Sequence, residues 1–231
     1  MTSSIGPMST APTRADRALA TRRRMAKAAY DLFCAHGYLG TTISAVAEEA
    51  GVAVPTVYYT FGTKAALLGE SLGAAIVGFD LWREPPPEPV DIAELLPWHQ
   101  WWAQFEAART SAAALDVFVT HGAHILQRVG PLIAAMHGAS GDPGAAEVVR
   151  TGEERRVDSY REGVRVIAGK AGGLRDGLSV TGATDIIVVL FSPGVYHALT
   201  SGRGWSHSRC IAFFRQILAA QLLGVPSSSS L

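Results

Sequence analysis

The chain is poor in cysteine: its 231 residues include only Cys34 and Cys210. Both stand inside apolar segments with helical periodicity. We therefore expect two buried free thiols in a reducing compartment, with a redox pair between them as the less favoured alternative.

Long uninterrupted hydrophobic runs are also missing. The most apolar stretch, residues 186–199, contains Ser192, Pro193 and Gly194 and is too short to span a bilayer. Residues 1–20 lack the apolar segment of a signal peptide. These features predict a cytoplasmic protein with no membrane partner.

Charge of either sign is scarce, at 17% of residues, and the formal net charge is zero. The whole molecule is therefore no polycation that coats nucleic acid. Residues 1–64, however, hold seven basic and four acidic residues, whereas the remainder holds thirteen and sixteen. This asymmetry is typical of a DNA-binding head on a neutral or acidic body, although chance produces differences of the same size.

Signatures of catalysis are absent from the sequence. It has no glycine-rich phosphate loop, no nucleophile elbow and no cluster with metal-ligand spacing, so we expect neither an enzyme nor a cofactor. His121 and His124 have the i, i+3 spacing that can face a metal. No carboxylate or cysteine joins them at a matching distance, so no metal site is predicted.

Helical periodicity dominates what is present, and strand alternation is missing, which predicts an all-α fold. Residues 1–18 are rich in Ser, Thr and Pro and predict a disordered arm. Residues 224–231 predict a flexible tail. Between them we expect a three-helix helix-turn-helix domain over residues 19–66 and a larger helical domain over residues 67–223, which contains a proline-rich break at 83–90.

The helix-turn-helix prediction rests on the spacing of its stop signals. A first apolar face begins near Thr21 and ends at Gly37. A second helix follows Thr42 and ends at Gly51, and a third of about seven residues begins at Pro55. A helix, a tight turn and a short helix indicate a helix-turn-helix, but the spacing alone fits an ordinary helical hairpin equally well.

The order of the residues separates these alternatives. Residues 22–68, RRRMAKAAYDLFCAHGYLGTTISAVAEEAGVAVPTVYYTFGTKAALL, resemble the DNA-binding domain of the TetR/AcrR family of transcriptional regulators. The residues at the family's positions are Phe33, Gly37, Tyr38, Thr41, Thr42, Ile43, Val46, Ala47, Ala50, Gly51, Val52, Thr56, Val57, Tyr58, Tyr59, Phe61 and Lys64.

The resemblance implies a set of contacts with double-stranded operator DNA. Residues of the second helix would lie near a phosphate and the groove, the third helix would enter the major groove, and a lysine at the start of the fourth helix would bind a phosphate. The basic cluster at the start of the first helix would add a backbone contact. The DNA-binding residues that we expect are Arg22, Arg23, Thr42, Ser44, Val54, Pro55, Thr56, Tyr58, Tyr59 and Lys64.

One departure from the family's pattern concerns how bases are read. Ala53 and Val54 stand where relatives often have polar residues, so the recognition helix begins with few hydrogen-bond donors. Recognition of the operator sequence by this helix is then expected to depend on contacts with thymine methyl groups and on DNA shape.

The resemblance also implies a homodimer, in which the last two helices of each copy pair in a four-helix bundle. Here those helices are predicted at residues 181–200 and 207–223, and the alternative is that they form only the core of one protomer. The predicted dimer contacts are Ile187, Leu190, Tyr196, Phe213, Phe214 and Ile217.

Aromatic residues at helical spacing suggest a cavity for a small hydrophobic ligand, although such a stripe can equally be core. The predicted ligand-binding residues are Trp98, Trp101, Trp102, Phe105, Phe118, His121 and Tyr160.

Together these features predict a DNA-binding transcriptional regulator, a repressor that a small hydrophobic ligand releases from its operator. The alternatives are a DNA-binding dimer of the same kind with no small-molecule inducer, and a helical adaptor that has lost DNA binding.

Overall fold

A computed structural model describes residues 13–83 and 92–223, and these residues confirm the all-α fold. The described chain forms helices α1–α12, two 3₁₀ turns and no strand, with one isolated bridge between Thr110 and Ala171. The predicted tail, the proline-rich segment from residue 84 on and the first twelve residues of the predicted arm lie outside the described residues.

The first four helices are α1 (Arg14–Gly40), α2 (Ile43–Ala50), α3 (Val54–Phe61) and α4 (Lys64–Val77). Helix α1 begins earlier than the sequence suggested, within the segment predicted as a disordered arm. Thr13 and Asp16 form a capping box there, because each side chain accepts from the backbone N–H of the other. The start predicted at Thr21 is therefore wrong.

Gly51 and the two threonines mark helix ends where the sequence predicts them, whereas the end predicted at Gly37 is a kink inside α1, which continues to Gly40. Gly37 has φ 70°, outside the helical region, and Gly51 ends α2 with φ 63°, a left-handed conformation that suits glycine. Thr42 caps α2 and Thr63 caps α4, each by accepting a hydrogen bond from the backbone N–H three residues later.

The described part of the body follows the same rules with eight helices. Asp142 caps α9, Ser192 caps α11 and Ser206 caps α12. The helices are α5 (Ile92–Leu95), α6 (Trp102–Ala107), α7 (Ser111–Val129), α8 (Ile133–Gly138), α9 (Pro143–Ala168), α10 (Val180–Leu190), α11 (Pro193–Arg203) and α12 (His207–Leu222), with 3₁₀ turns at Leu96–Trp98 and Gly130–Leu132.

Two apolar segments with helical periodicity are divided. The segment that carries the predicted aromatic residues Trp98, Trp101, Trp102 and Phe105 consists of α5, a 3₁₀ turn and α6, because Pro97 interrupts it. The segment predicted at 181–200 is α10 and α11, since Ser192 and Pro193 begin a new helix. That segment belongs to the one described stretch, Val180–Arg203, that is long and apolar enough by length and composition to cross a membrane. Ser192 and Pro193 break the stretch, and Ile187 is buried within the protomer.

Packing joins the head to the body through one core. Helix α1 packs against α4 and α8, and α4 packs against α7 and α9. Phe33 of the head shares a buried cluster with Leu68 of α4 and with Leu132 and Ala145. A second cluster, centred on Phe118, lies entirely in the body. The two cysteines are free: Cys34 is half-buried and Cys210 is buried.

Candidate nucleic-acid interface and ligand cavity

The short helix α3 projects from the head with one face braced and the other exposed. Val57 is buried against the core that Ala47 and Ala50 of α2 help to form. On the opposite face Tyr59 is 93% exposed and Tyr58 is 52% exposed. A contiguous exposed patch of large side chains is typical of a surface that binds a partner.

The predicted DNA contacts of α2 and α3 share this surface. Thr42, Ser44 and Pro55 are exposed, whereas Val54 and Thr56 are half-buried. Each contact predicted from α2 and α3 thus keeps some surface exposure in the structure.

Lys64 begins α4 beside the same surface. Its Nζ stands 4.3 Å from the centroid of the Tyr38 ring, and burial lowers its pKa, while the charge of Asp142 opposes that shift. The Tyr38 hydroxyl donates to Oδ2 of Asp142 at 2.6 Å. The ammonium group is thus held in place by a ring that is itself fixed to the cap of α9.

Arg22 and Arg23 require a correction, because the structure engages both side chains inside the protein. The Arg22 guanidinium pairs with Glu70, and its carbon stands 5.3 Å from the centre of the Phe61 ring. Nε of Arg23 donates to the carbonyl oxygen of Trp82 at 2.6 Å. Both arginines therefore connect α1 to α4 and to the segment that follows it. Their partners lie 48 and 59 residues away, so a local motif could not reveal them.

A cavity of about 310 Å³ lies in the body between α4, α7 and α9. We call it the ligand cavity. Among the predicted ligand-binding residues, Trp101, Trp102, Phe118 and Tyr160 line it. Their rings contact one another at centroid distances of 5.7–6.2 Å for Trp101–Trp102, Phe118–Tyr160 and Trp101–Phe118.

The other three predicted ligand-binding residues are not in its wall. Phe105 is completely buried in the core, and His121 stacks on Trp101 with a centroid distance of 5.6 Å. Trp98 lies on a neighbouring cavity, because the broken helix turns it away from Trp102. The helical periodicity assumed for this segment was wrong, and that error explains the misplacement of Trp98.

Sequence patterns missed several lining residues. Leu72 and Ile76 belong to α4, which the sequence assigned to the head–body boundary. Glu153 and Arg156 are charged residues of α9, and neither they nor His99 stand in a motif that indicates a ligand site. Only the arrangement of α4, α7 and α9 brings them to one site.

The neighbouring cavity, of about 670 Å³, extends from the ligand cavity toward the head. Leu72, His99 and Arg156 lie in the walls of both cavities, and Arg22 and Phe61 line the far end. It therefore reaches the last residue of α3.

The predicted dimer contacts divide into two groups. Ile187, Tyr196 and Phe214 are buried in the protomer's own core, so they cannot form a surface for a second copy without unfolding. This part of the prediction is corrected. Leu190, Phe213 and Ile217 are half-buried, and Val189, which was not predicted, is an apolar side chain with 65% exposure on α10.

Comparisons with known proteins agree with this geometry. Residues 26–70 match the family model described as bacterial regulatory proteins, tetR family. No curated protein sequence matches the chain significantly.

Solved structures share the whole fold. NalD of Pseudomonas aeruginosa, the secondary repressor of the MexAB-OprM multidrug efflux pump, is 16% identical with a TM-score of 0.57, over 91% of this chain and 98% of that one. The transcriptional regulator FadR of Bacillus subtilis, in complex with stearoyl-CoA, is 14% identical with a TM-score of 0.62 over 88% and 98%. A regulator from Saccharomonospora viridis, in complex with choline, is 17% identical with a TM-score of 0.63 over 88% and 98%.

These identities are low, so the neighbours establish the fold, whereas the family model identifies the head. Residues 26–70 are a helix-turn-helix domain of the tetR family of bacterial regulatory proteins, and the chain as a whole shares its fold with these regulators.

Proposed function

We propose that the protein is a dimeric repressor that a small molecule releases from its operator. The observation that carries this proposal is the exposed aromatic face of α3, with Tyr58 and Tyr59, in a tetR-family helix-turn-helix. The fold neighbour NalD is a repressor, which favours repression over activation.

Binding to DNA would use the side chains that the head leaves free. Tyr58 and Tyr59 would contact phosphates or sugars through their hydroxyls, and Thr42 with Ser44 would approach the backbone at the start of α2. Lys64 would supply a point charge to a phosphate. Val54, Pro55 and Thr56 would meet the edges of bases, where the apolar start of α3 favours thymine methyl groups.

Dimerisation would use the outer faces of α10 and α12. Val189, Leu190, Phe213 and Ile217 leave apolar surface uncovered there. A second copy would bury it, and two heads would then read half-sites one turn of DNA apart, about 34–36 Å.

Helix α4 is the connection through which a ligand would act. It begins with Lys64 beside the DNA-binding surface and places Leu72 and Ile76 in the wall of the ligand cavity. Arg128 of α7 donates to the carbonyl oxygens of Ala75 and Ile76, at 2.6 and 3.0 Å. A ligand that prefers one placement of α4 would shift the two heads and change their affinity for DNA.

Footprinting on DNA next to the gene, followed by a salt-dependent gel shift, tests the DNA-binding part of the proposal. A protected palindromic site whose binding weakens with salt is expected, whereas an adaptor would leave the DNA unprotected. Compounds that raise the melting temperature are then added to the complex. Release of DNA supports induction, and unchanged affinity with a bound compound would favour the dimer without an inducer.

A further inference from the structure

The ligand cavity contains charged side chains, but they neutralise each other. Nε and Nη2 of Arg156 donate to the two carboxylate oxygens of Glu153 at 2.8 and 2.6 Å. The remaining nitrogen, Nη1, donates to the carbonyl oxygen of Val188 at 3.0 Å. Three of the five N–H donors of Arg156 are thus engaged within the protein, and Glu153 offsets the charge of the guanidinium. An anion would have to compete with Glu153 for the guanidinium, and a cation would meet its positive charge, so a charged ligand would recover little of its lost hydration.

His99 is a polar lining side chain that is half-buried, whereas His137, which also lines the cavity, is exposed to solvent. The backbone of His99 is fixed, because its N–H donates to Leu96 and its carbonyl accepts from Trp102. Its ring packs beside Trp101, with centroids 5.7 Å apart, and has no hydrogen-bond partner within residues 13–83 and 92–223. Burial, and secondarily the positive charge of Arg128, lower the pKa of His99 to about 4. At neutral pH the ring is therefore uncharged and offers one donor and one acceptor.

Most of the remaining wall is apolar and combines aliphatic side chains with four aromatic rings, those of Trp101, Trp102, Phe118 and Tyr160. Trp101 and Phe118 meet edge to face, with their ring planes at 81°. Tyr160 contributes its ring but not its hydroxyl, which donates to the carbonyl oxygen of Phe191 at 2.7 Å. Such walls favour a ring system over a flexible polar chain, because faces and edges of aromatic groups pack at these distances. The volume of about 310 Å³ is at the small end of the range for drug-sized ligands.

We propose that this cavity selects an uncharged aromatic molecule with one hydrogen-bonding group, such as a hydroxyl or a carbonyl, directed at the His99 ring. The inference rests on the regulator function proposed above and names the ligand class of that site. It separates this cavity from sites for organic cations or carboxylates, whose charge would have no counterpart here.

Four naphthalene compounds that differ in one substituent test the ligand class on the full-length protein without DNA. They are 2-naphthalenemethanol, 2-methylnaphthalene, 2-naphthoate and 2-naphthylmethylammonium, titrated by calorimetry at pH 7.5. The alcohol is expected to bind best. The hydrocarbon should bind about 3- to 10-fold more weakly, because it lacks one hydrogen bond, and each ion at least about tenfold more weakly.

Two outcomes overturn the proposal. One is an ion that binds as tightly as the alcohol, and the other is the absence of saturable binding by all four compounds.

Substitutions at His99 test the hydrogen bond itself. His99→Leu should abolish the preference for the alcohol over the hydrocarbon while the hydrocarbon still binds, and His99→Gln should restore part of that preference. His121→Gln is the matched control, because His121 stacks on Trp101 outside the cavity wall. If His99→Leu retains the full preference for the alcohol over the hydrocarbon, His99 does not form the selective hydrogen bond with the ligand and the proposal fails.

A gain of function tests the charge balance. Glu153→Gln leaves Arg156 without its counter-charge, so the variant should bind 2-naphthoate about tenfold more tightly than the native protein does. An unchanged affinity for naphthoate would contradict the neutralised cavity.

The two proposals fail separately. If the compounds bind but do not release DNA, induction is disproved and the ligand class stands. If the protein binds DNA but does not bind uncharged aromatic compounds, the ligand class alone is disproved.

Discussion

Arg22 of α1 and Glu70 of α4 form a two-point ion pair, with Nε and Nη2 of the arginine 2.7 and 2.9 Å from the two carboxylate oxygens. The Glu70 side chain is only 3% exposed and also accepts from Nε1 of Trp82 at 2.6 Å. The same guanidinium covers Phe61, the last residue of α3. One pair of charges thus connects the first helix, the fourth helix and the end of the recognition helix.

Removal of Arg22 should therefore destabilise the fold. Arg22→Gln leaves the buried Glu70 carboxylate without its counter-charge, and the expected loss is about 3–5 kcal/mol in urea unfolding. The double variant Arg22→Gln with Glu70→Gln should recover a large part of that loss, because no charge is then left buried. Lys27→Ala is the control, since the exposed Lys27–Asp31 pair should contribute less than about 1 kcal/mol. A loss at Arg22 no larger than at Lys27 would contradict the structural role.

The proposed phosphate contacts should appear in the salt dependence of DNA binding. Lys64→Ala should reduce the slope of log affinity against log salt concentration by about one, because one fewer phosphate is neutralised. Combined with Tyr58→Phe, it should weaken binding to all DNA sequences alike. Fluorescence anisotropy with two duplexes of different sequence should therefore show the same fold-loss of affinity for both. Arg165→Ala, in an exposed pair on α9, is the matched control. Unchanged binding by the double variant would refute these contacts.

Local signals in the sequence explain how much of the head could be predicted. Thr42 and Thr63 before apolar faces, and Gly37 and Gly51 after them, are start and stop signals that act within one turn of helix. The order of these signals along the chain predicted the positions of α2 and α3 and the start of α4. The start of α1 was missed although its signal is equally local, because Thr13 and Asp16 lie in a stretch whose composition resembles disorder.

The site depended on contacts between distant parts of the chain, which explains what the sequence could not reveal. Arg22 looked like a free cation because its partner is 48 residues away. Ile187 and Phe214 were assigned to the dimer because an apolar residue on a predicted interface helix looks the same whether it faces a second copy or the protomer's own core. Periodicity distinguishes apolar from polar faces, but not one apolar environment from another.

The exposed apolar surface of α10 predicts how the dimer can be disrupted. Val189→Glu places a charge at the centre of the proposed interface and should weaken association by at least about 30-fold, the loss typical of an interface hot spot. Sedimentation velocity should then show monomers at concentrations where the native protein is dimeric. Leu81→Glu changes an exposed apolar residue elsewhere and serves as the control. A native protein that is monomeric at all concentrations would contradict the dimer itself.

Two glycines in the wall of the ligand cavity predict opposite responses to an added methyl group. A Cβ at Gly122 would lie 2.6 Å from the Phe191 ring, so Gly122→Ala should destabilise the protein by about 1–3 kcal/mol. Gly194, in the first turn of α11, has open space at the same position. Gly194→Ala should therefore be neutral or stabilise by up to about 1 kcal/mol, because alanine restricts the unfolded chain. Equal effects in thermal unfolding would contradict the close packing of α7 on Phe191.

His99 predicts a loss of stability in mild acid. Its imidazole takes up a proton near pH 6.5 in the unfolded chain but only near pH 4 in the folded protein, because burial lowers its pKa. Between these values the unfolded state binds more protons, so acid favours unfolding. The stabilisation from the neutral ring is complete above pH 6.5 and is lost progressively as the pH falls to about 4.

The free energy of unfolding of the native protein relative to His99→Gln should therefore be constant above pH 6.5. Below it, this difference should fall by at most about 1.4 kcal/mol per pH unit. His36→Gln, which changes an exposed histidine of α1, supplies the comparison. If the difference between the native protein and His99→Gln does not vary with pH in this window, the ring is not held neutral by burial.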